Sequence, residues 1–170
     1  NFDPLDLTFK ANLTVNAGTD NIINTGTVNI GAGDLDLTAG QVFVNGAFTT
    51  TGSVDVESTF GDITFAAAGS IDAGASDIDL TAFFNVESLN VTTTSEVRVT
   101  ATGGGINDLT GNALITADRA ALRVGGPGGI TGIDTNVNTL ATSVASGAFT
   151  IDNTGNLEIG TVDGLSGITA

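Results

Sequence analysis

Two pairs of aspartates have the spacing that acid–base or metal chemistry requires. Asp34 and Asp36 form one Asp-x-Asp pair, and Asp77 and Asp79 form the other. In an extended chain, residues two positions apart point to the same face, so each pair would place two carboxylates side by side. Paired carboxylates can transfer protons in sugar hydrolysis, or bind a hard cation such as Ca²⁺.

The composition narrows the chemistry that these carboxylates could perform. The 170-residue chain contains no Cys, His, Met, Trp or Tyr, which excludes thiolate and imidazole catalysis and thiolate metal sites. Four basic residues stand against 19 acidic ones, and the net charge of −15 disfavours nucleic acid and anionic lipid as partners. No apolar run approaches the ~20 residues of a membrane-spanning helix. We therefore predict no catalytic residues, no cofactor-binding residues, no nucleic-acid partner and no membrane insertion.

Short apolar–polar–apolar triplets hold these aspartates and recur along the chain. Each triplet predicts a short strand with one buried and one exposed face. Aligned triplets form a column, and the steps within the first column run from 19 to 25 residues. Its members are Leu13-Thr14-Val15, Leu35-Asp36-Leu37, Val54-Asp55-Val56, Ile78-Asp79-Leu80, Val97-Arg98-Val99 and Leu122-Arg123-Val124.

Two further columns lie between the copies of the first, so each repeat holds three strands. The second column contains Val42-Phe43-Val44, Ile63-Thr64-Phe65, Phe84-Asn85-Val86 and Ile106. The third contains Val28-Asn29-Ile30, Phe48-Thr49-Thr50, Ile71-Asp72-Ala73, Leu89-Asn90-Val91 and Leu114-Ile115-Thr116. A single repeat cannot bury its own apolar face, whereas stacked repeats can. The sequence predicts an all-β fold, a right-handed parallel β-helix in one domain spanning 1–170, with roughly eight coils of about 21 residues.

The first column also predicts which side chains face the solvent. Val54 should point into the core and Asp55 outward. Asp36, Asp55 and Asp79 should then stack on the outer face, with Arg98 next in line. Like charges about 5 Å apart repel, so these three aspartates are candidate Ca²⁺ ligands, and Arg98 offers an alternative source of compensation.

Three further local features follow from the same alignment. Phe43, Phe65 and Phe84 are expected to form an aromatic stack in the core, without a ligand role. Residues 125–136 contain two Gly pairs around a proline and predict a loop or a widened coil. Residues 137–146 are compatible with a short helix or with strand, and we favour strand.

Several segments resemble the repeat region of filamentous-haemagglutinin-like exoproteins, the β-helical adhesins exported by two-partner secretion. The segments that carry the resemblance are GDLDLTAG at 33–40, GDITF at 61–65, GSI at 69–71, DTNVNTLA at 134–141 and GNLEIG at 155–160. Together they cover the chain widely, although each motif is short. The resemblance implies an extracellular or bacterial cell-surface location and a role in the shaft of a large adhesin.

The expected function is therefore a structural or adhesive fibre segment. Its expected partners are neighbouring coils or copies of the same protein and the surface of a host or neighbouring cell. One alternative is a β-helical carbohydrate-active enzyme, which would need converging carboxylates in a groove, whereas a shaft needs only an even acidic surface. A second alternative is a subunit that stacks end to end, because no recognisable cap protects either end and the array is expected to continue past residues 1 and 170.

Overall fold

Parallel strands account for nearly all regular structure in the computed structural model, which describes residues 7–8 and 11–170. The described part of the chain contains no helix. The strands are β1 (Leu7–Thr8), β2 (Leu13–Asn16), β3 (Asn21–Asn24), β4 (Val28–Gly31), β5 (Leu35–Ala39), β6 (Gln41–Val44), β7 (Ala47–Thr50), β8 (Val54–Ser58), β9 (Ile63–Phe65), β10 (Ser70–Asp72), β11 (Ile78–Ala82), β12 (Val86–Glu87), β13 (Asn90–Thr92), β14 (Glu96–Ala101), β15 (Ile106–Asn107), β16 (Leu114–Val124), β17 (Ile130–Val144), β18 (Phe149–Asn153), β19 (Glu158–Ile159), β20 (Thr161–Val162), β21 (Leu165–Ser166) and β22 (Ile168–Thr169).

The strands form the three walls of a β-solenoid of about eight coils with roughly 20 residues each. The first sheet runs through β2, β5, β8, β11 and β14 and continues in the later parts of β16 and β17. The second contains β3, β6, β9, β12, β15 and the start of β17. The third contains β1, β4, β7, β10, β13 and the start of β16. Every strand in the three walls pairs in parallel, as the columns predicted.

Strict alternation along each strand builds the core. In β8, Val54 and Val56 are buried, whereas the side chains on either side of Val54 are exposed. Stacked Leu, Ile and Val residues of successive coils fill the interior as one continuous apolar cluster. Because each coil lies on its neighbour, apolar burial and backbone hydrogen bonding both depend on the coil above and the coil below.

The first column is confirmed from Leu13 to Val97. Leu35 pairs with Val54, Val54 with Ile78 and Ile78 with Val97. The alignment is wrong by two residues at its last member, because Val97 pairs with Ala120 and Val99 with Leu122. Ala120 and Ala121 give little apolar contrast between the two faces, and the larger Leu122 was therefore aligned in their place.

The second and third columns contain three errors of register. Ile63 pairs with Val86 rather than Phe84, and Ile71 pairs with Val91 rather than Leu89. In the last triplet of the third column, Leu114 is 38% exposed and its neighbour in the sequence is buried. Phe84 and Leu114 were assigned to the core although both are exposed, because the position of the preceding corner decides which residue faces inward. Leu89 is buried, and the error there concerns only its pairing partner.

The predicted aromatic stack is wrong. Of its three members, only Phe65 is buried. Phe43 is half-buried on the outer side of β6, between buried Val42 and Val44. Phe84 is 47% exposed, because β11 extends to Ala82 and the next two residues therefore fall in the corner.

The break predicted at residues 125–136 is confined to its first part. Residues 125–129 form a corner, whereas β17 begins at Ile130 and continues through 136, so the loop prediction is wrong there. A register shift between Ile130 and Ile133 in the pairing with β18 marks the one irregularity. Strand is confirmed for 137–144.

A longer internal repeat of 43 residues, two coils in length, underlies the first half of the solenoid. The sequence GAGDLDLT at 31–38 recurs as GASDIDLT at 74–81. The corner hydrogen bonds recur as well: the Thr50 hydroxyl donates to the carbonyls of Gly31 and Gly33, and the Thr93 hydroxyl donates to those of Gly74 and Ser76. This corner therefore recurs in alternate coils, and the 43-residue period is the sum of the 19-residue step from Leu35 to Val54 and the 24-residue step from Val54 to Ile78.

Candidate functional site

The outer face of the first sheet carries the charged ladder that the sequence predicted. Asp36 pairs with Asp55, Asp55 with Asp79 and Asp79 with Arg98 in the parallel register. The next position in line is Ala121, which is buried. The three candidate Ca²⁺ ligands are thus adjacent along one face, followed by the guanidinium.

Arg98 is the centre of an ion-pair network. Its guanidinium lies 2.7 Å from Glu96 Oε1, 3.1 Å from Asp79 Oδ2 and 3.3 Å from Asp77 Oδ2. Partial burial lowers the pKa of Arg98, but hydrogen bonds with Glu96 and Asp79 outweigh that effect and leave the pKa raised. Glu96 is 6% exposed and also lies 3.4 Å from Arg119, so two cations compensate the most buried carboxylate in this group.

Asp77 belongs to a corner staple as well as to this network. The Ser95 hydroxyl donates to its Oδ1 at 2.5 Å, and this bond lowers the pKa of Asp77 with further help from the Glu96 backbone N–H and Arg98. Asp34 occupies the equivalent corner one repeat earlier and accepts from the Ser53 backbone N–H and hydroxyl, both at 2.9 Å. The first aspartate of each Asp-x-Asp pair therefore ties two coils together.

Asp55 lies in a less favourable environment. Desolvation raises the pKa of Asp55, and the neighbouring charges of Asp79, Asp36 and Glu57 raise it further. The 43-residue repeat explains the difference, because Arg98 is the counterpart of Asp55 one repeat later. At this position the later repeat has the cation Arg98, whereas the earlier repeat has Asp55, whose carboxylate lies between those of Asp36 and Asp79.

Within residues 7–8 and 11–170, no group of three or more His, Cys, Asp or Glu residues is arranged to hold a metal ion. Asp36, Asp55 and Asp79 are separated by the coil spacing along an exposed sheet face rather than gathered in a cleft. Ca²⁺ at these residues remains a prediction, and the geometry adds no support for it.

A second feature of the surface is an aromatic cluster at the corner between the first and second sheets. Phe60 is 66% exposed, and Phe83 and Phe84 are each 47% exposed. The ring centroids of Phe60 and Phe83 are 6.3 Å apart, and those of Phe83 and Phe84 are 5.0 Å apart in an edge-to-face arrangement. We call these three side chains the aromatic ridge. A shallow groove beside Phe60 is lined by Thr19, Asn21, Gly40 and Gln41.

A third feature is a hairpin packed against the outside of the solenoid. β20 and β21 pair antiparallel, and Asp163 and Gly164 at their turn both have positive φ, at 47° and 75°. The hairpin buries Val162 against Ala121 and Ala141. Arg123 fixes its tip through an ion pair with Asp163 at 2.7 Å. Val162 is therefore buried on the outside of the solenoid rather than in its interior.

No family model, curated protein or solved structure matches this chain. Among the residues that the structure describes, no helix is long and apolar enough to cross a membrane.

Sequence reasoning missed both the aromatic ridge and the hairpin. For the ridge, the missing step was to recognise Phe83 and Phe84 as corner residues, equivalent in position to Gly103 and the residues around it. The hairpin had a direct signal in the Asp-Gly dipeptide at 163–164, which favours a two-residue turn between short strands.

Proposed function

We propose that this chain is a structural segment of a secreted or cell-surface fibre, in which the coils provide length and stiffness and the outer faces provide contacts. The observation that carries the proposal is the unbroken parallel pairing of the first sheet from Leu13 to Leu140, over six successive steps. Such an array resists extension because each coil is held by its neighbours on both sides.

The distribution of polar groups supports a shaft more than an enzyme. The Asp34 and Asp77 carboxylates hold corners together, and the Asp79 carboxylate pairs with Arg98. A glycoside-cleaving site needs two carboxyl groups facing each other across a sugar, one of them kept as an acid. Here Asp36, Asp55 and Asp79 line one exposed sheet face, and the carboxylates of Asp34, Asp77 and Asp79 hold neighbouring coils together.

Single-molecule pulling on the 170-residue chain, combined with a polysaccharide-cleavage assay, tests the proposal. A shaft should keep its length under load and then lengthen in steps of up to about 70 Å, the contour length of one ~21-residue coil. We expect no cleavage of neutral or acidic polysaccharides. Extension at low load without steps, or turnover that disappears in Asp79→Asn, would contradict the proposal.

A second candidate, end-to-end stacking, is favoured by the apolar surface near β18 and β19. Leu157, Ile159 and Ile168 are between 37% and 45% exposed, and Phe149 and Ile151 are half-buried. Another coil stacked there would cover these side chains and pair with the free edge of β18. Its partner would be a neighbouring copy or further coils of the same kind. Sedimentation of a variant with Leu157→Lys and Ile159→Lys should show less association than the parent chain if stacking occurs.

A further inference from the structure

The aromatic ridge is unusual for a chain with a net charge of −15, because three aromatic rings lie together on its surface. Together the rings of Phe60, Phe83 and Phe84 expose roughly 300 Å² of apolar area, given about 200 Å² for a whole aromatic side chain. Contiguous apolar patches approaching this size often mark an interaction site. The segments that carry the ridge, TFG at 59–61 and FFN at 83–85, contain no charged residue, and the one carboxylate beside them, Asp62, is half-buried and accepts hydrogen bonds from the Asn85 backbone and side chain.

Directly beyond the ridge, the same corner becomes almost free of side chains. The corner hydrogen bonds show the continuity: the Gly103 N–H donates to the Phe83 carbonyl at 2.8 Å, and the Gly128 N–H donates to the Gly104 carbonyl at 3.3 Å. We call Gly103, Gly104 and residues 125–128 (GGPG) the glycine ramp. Gly103, Gly125, Pro127 and Gly128 are exposed, and the ramp contains no charged residue.

Close stacking keeps the ramp low. A Cβ at Gly126 would lie 2.2 Å from the Gly103 carbonyl carbon, so only glycine fits between these two coils. The ridge occupies two coils and the ramp the next two, at one corner of the solenoid. A protrusion and a depression of equal length therefore lie end to end along the axis.

We propose that two copies of this chain pair side by side and antiparallel, with the aromatic ridge of each copy on the glycine ramp of the other. A two-fold axis perpendicular to the solenoid, between the coils of Phe84 and Gly103, produces this arrangement. Phe83 and Phe84 then face Gly103 and Gly104 of the second copy, and Phe60 faces Pro127. Such a contact is isologous, because each patch meets the other patch twice.

A second copy fits this surface because the strip is its own complement in shape and carries one half-buried carboxylate, Asp62, on a strongly acidic chain. Two copies that carry −15 each repel, and a corner with few charges lets them approach with their acidic faces turned apart. Ridge and ramp together offer an interface near the lower end of the size that specific complexes bury, on the order of 1,000 Å² in total. We expect a weak dimer whose affinity rises with salt, because the Debye length falls from about 20–30 Å at low ionic strength to a few ångströms near 1 M.

Sedimentation velocity over a range of protein concentrations, at about 0.02 M and about 0.5 M salt, measures the pairing. The test variant is Phe60→Ser with Phe83→Ser and Phe84→Ser, and the matched control is Leu109→Ser, which removes an equally prominent exposed side chain (68%) elsewhere. We expect the dimer dissociation constant of the triple variant to rise at least tenfold, with the control unchanged. A parent chain that stays monomeric at both salt concentrations would overturn the inference. So would ridge-dependent retention on a saccharide or on lipid vesicles without dimerisation.

Cysteine cross-linking tests the antiparallel geometry, since the native chain contains no cysteine. Phe60 and Pro127 lie three coils apart, about 14 Å within one copy, which is too far for an internal disulfide. A chain with Phe60→Cys and Pro127→Cys should therefore form a disulfide-linked dimer on mild oxidation, whereas each single variant should not. Equal cross-linking by Phe60→Cys alone would indicate a parallel pair and refute the proposed geometry.

The antiparallel dimer does not depend on the proposed shaft function. Its interpretation rests on that function, because the dimer then joins two shafts side by side. The two can fail separately. Loss of cross-linking leaves the pulling experiment unaffected, and an absence of stepwise extension leaves the ridge-dependent dimer in place. End-to-end stacking is also distinguished, because it should respond to Leu157→Lys with Ile159→Lys and not to the ridge variants.

Discussion

Replacing Val54 by aspartate should destroy one coil, whereas replacing its neighbour Asp55 by valine should not. Val54 is 2% exposed and stacks between Leu35 and Ile78. Loss of its burial costs about 1.5–3 kcal/mol, and an unpaired polar group in the same position adds a further ~2–3 kcal/mol. We expect the free energy of unfolding to fall by roughly 4–6 kcal/mol.

Asp55→Val is the reverse substitution at the neighbouring position, and it replaces a carboxylate on the outer face by an apolar side chain. It removes a carboxylate that lies between Asp36 and Asp79, so we expect the free energy of unfolding to stay within about 1 kcal/mol of the parent or to rise. Urea unfolding followed by far-ultraviolet circular dichroism measures both variants, and Val54→Ala separates the cavity from the buried charge. Equal losses for Val54→Asp and Asp55→Val would refute the register of the first sheet.

Three other perturbations address the outer surface. Arg98→Gln leaves Glu96 with one cation, Arg119, and should lower the urea midpoint by an amount equivalent to about 2 kcal/mol; adding Glu96→Gln should restore part of it. The pKa of Asp55 is raised in the folded state, so the folded state binds this proton more tightly than the unfolded state does. Protonation of Asp55 therefore stabilises the fold fully below the unfolded pKa of about 3.8, and this stabilisation is lost as the pH rises through the folded pKa. Asp55→Asn should therefore reduce the loss of stability between pH 4 and pH 7 in parallel urea titrations, and an unchanged profile would count against the desolvation of this group. Val162→Asp should release the hairpin, seen as faster amide exchange in β20 and β21 with the global urea midpoint nearly unchanged.

The sequence predicted the architecture better than the surface. Strand alternation is unambiguous at Val54-Asp55-Val56, and such triplets were sufficient to predict a parallel solenoid with three strands per coil. The errors arose where hydrophobicity alone cannot decide the face. Phe84 was placed in the core because of its size, although the position of the Ala82 strand end puts it in a corner.

The candidate site was predictable only in part, for a similar reason. The ladder through Asp36, Asp55 and Asp79 follows from the coil step and was correct. The role of Asp77 depends on a corner hydrogen bond with Ser95, which the column alignment does not contain. To predict the aromatic ridge, the corners of two neighbouring coils would have to be located to within one residue.

Distances between spin labels along the outer face of the first sheet test the central claim most directly. Asn16, Thr81, Thr100 and Ser143 occupy one line of paired positions, separated by three, one and two coils in that order. Labels attached to introduced cysteines on Asn16 and each of the other three should report backbone separations of about 14, 19 and 29 Å, a rise of ~4.8 Å per coil. Separations that do not increase linearly with the number of coils would contradict the stacked solenoid and, with it, the proposed role as a shaft.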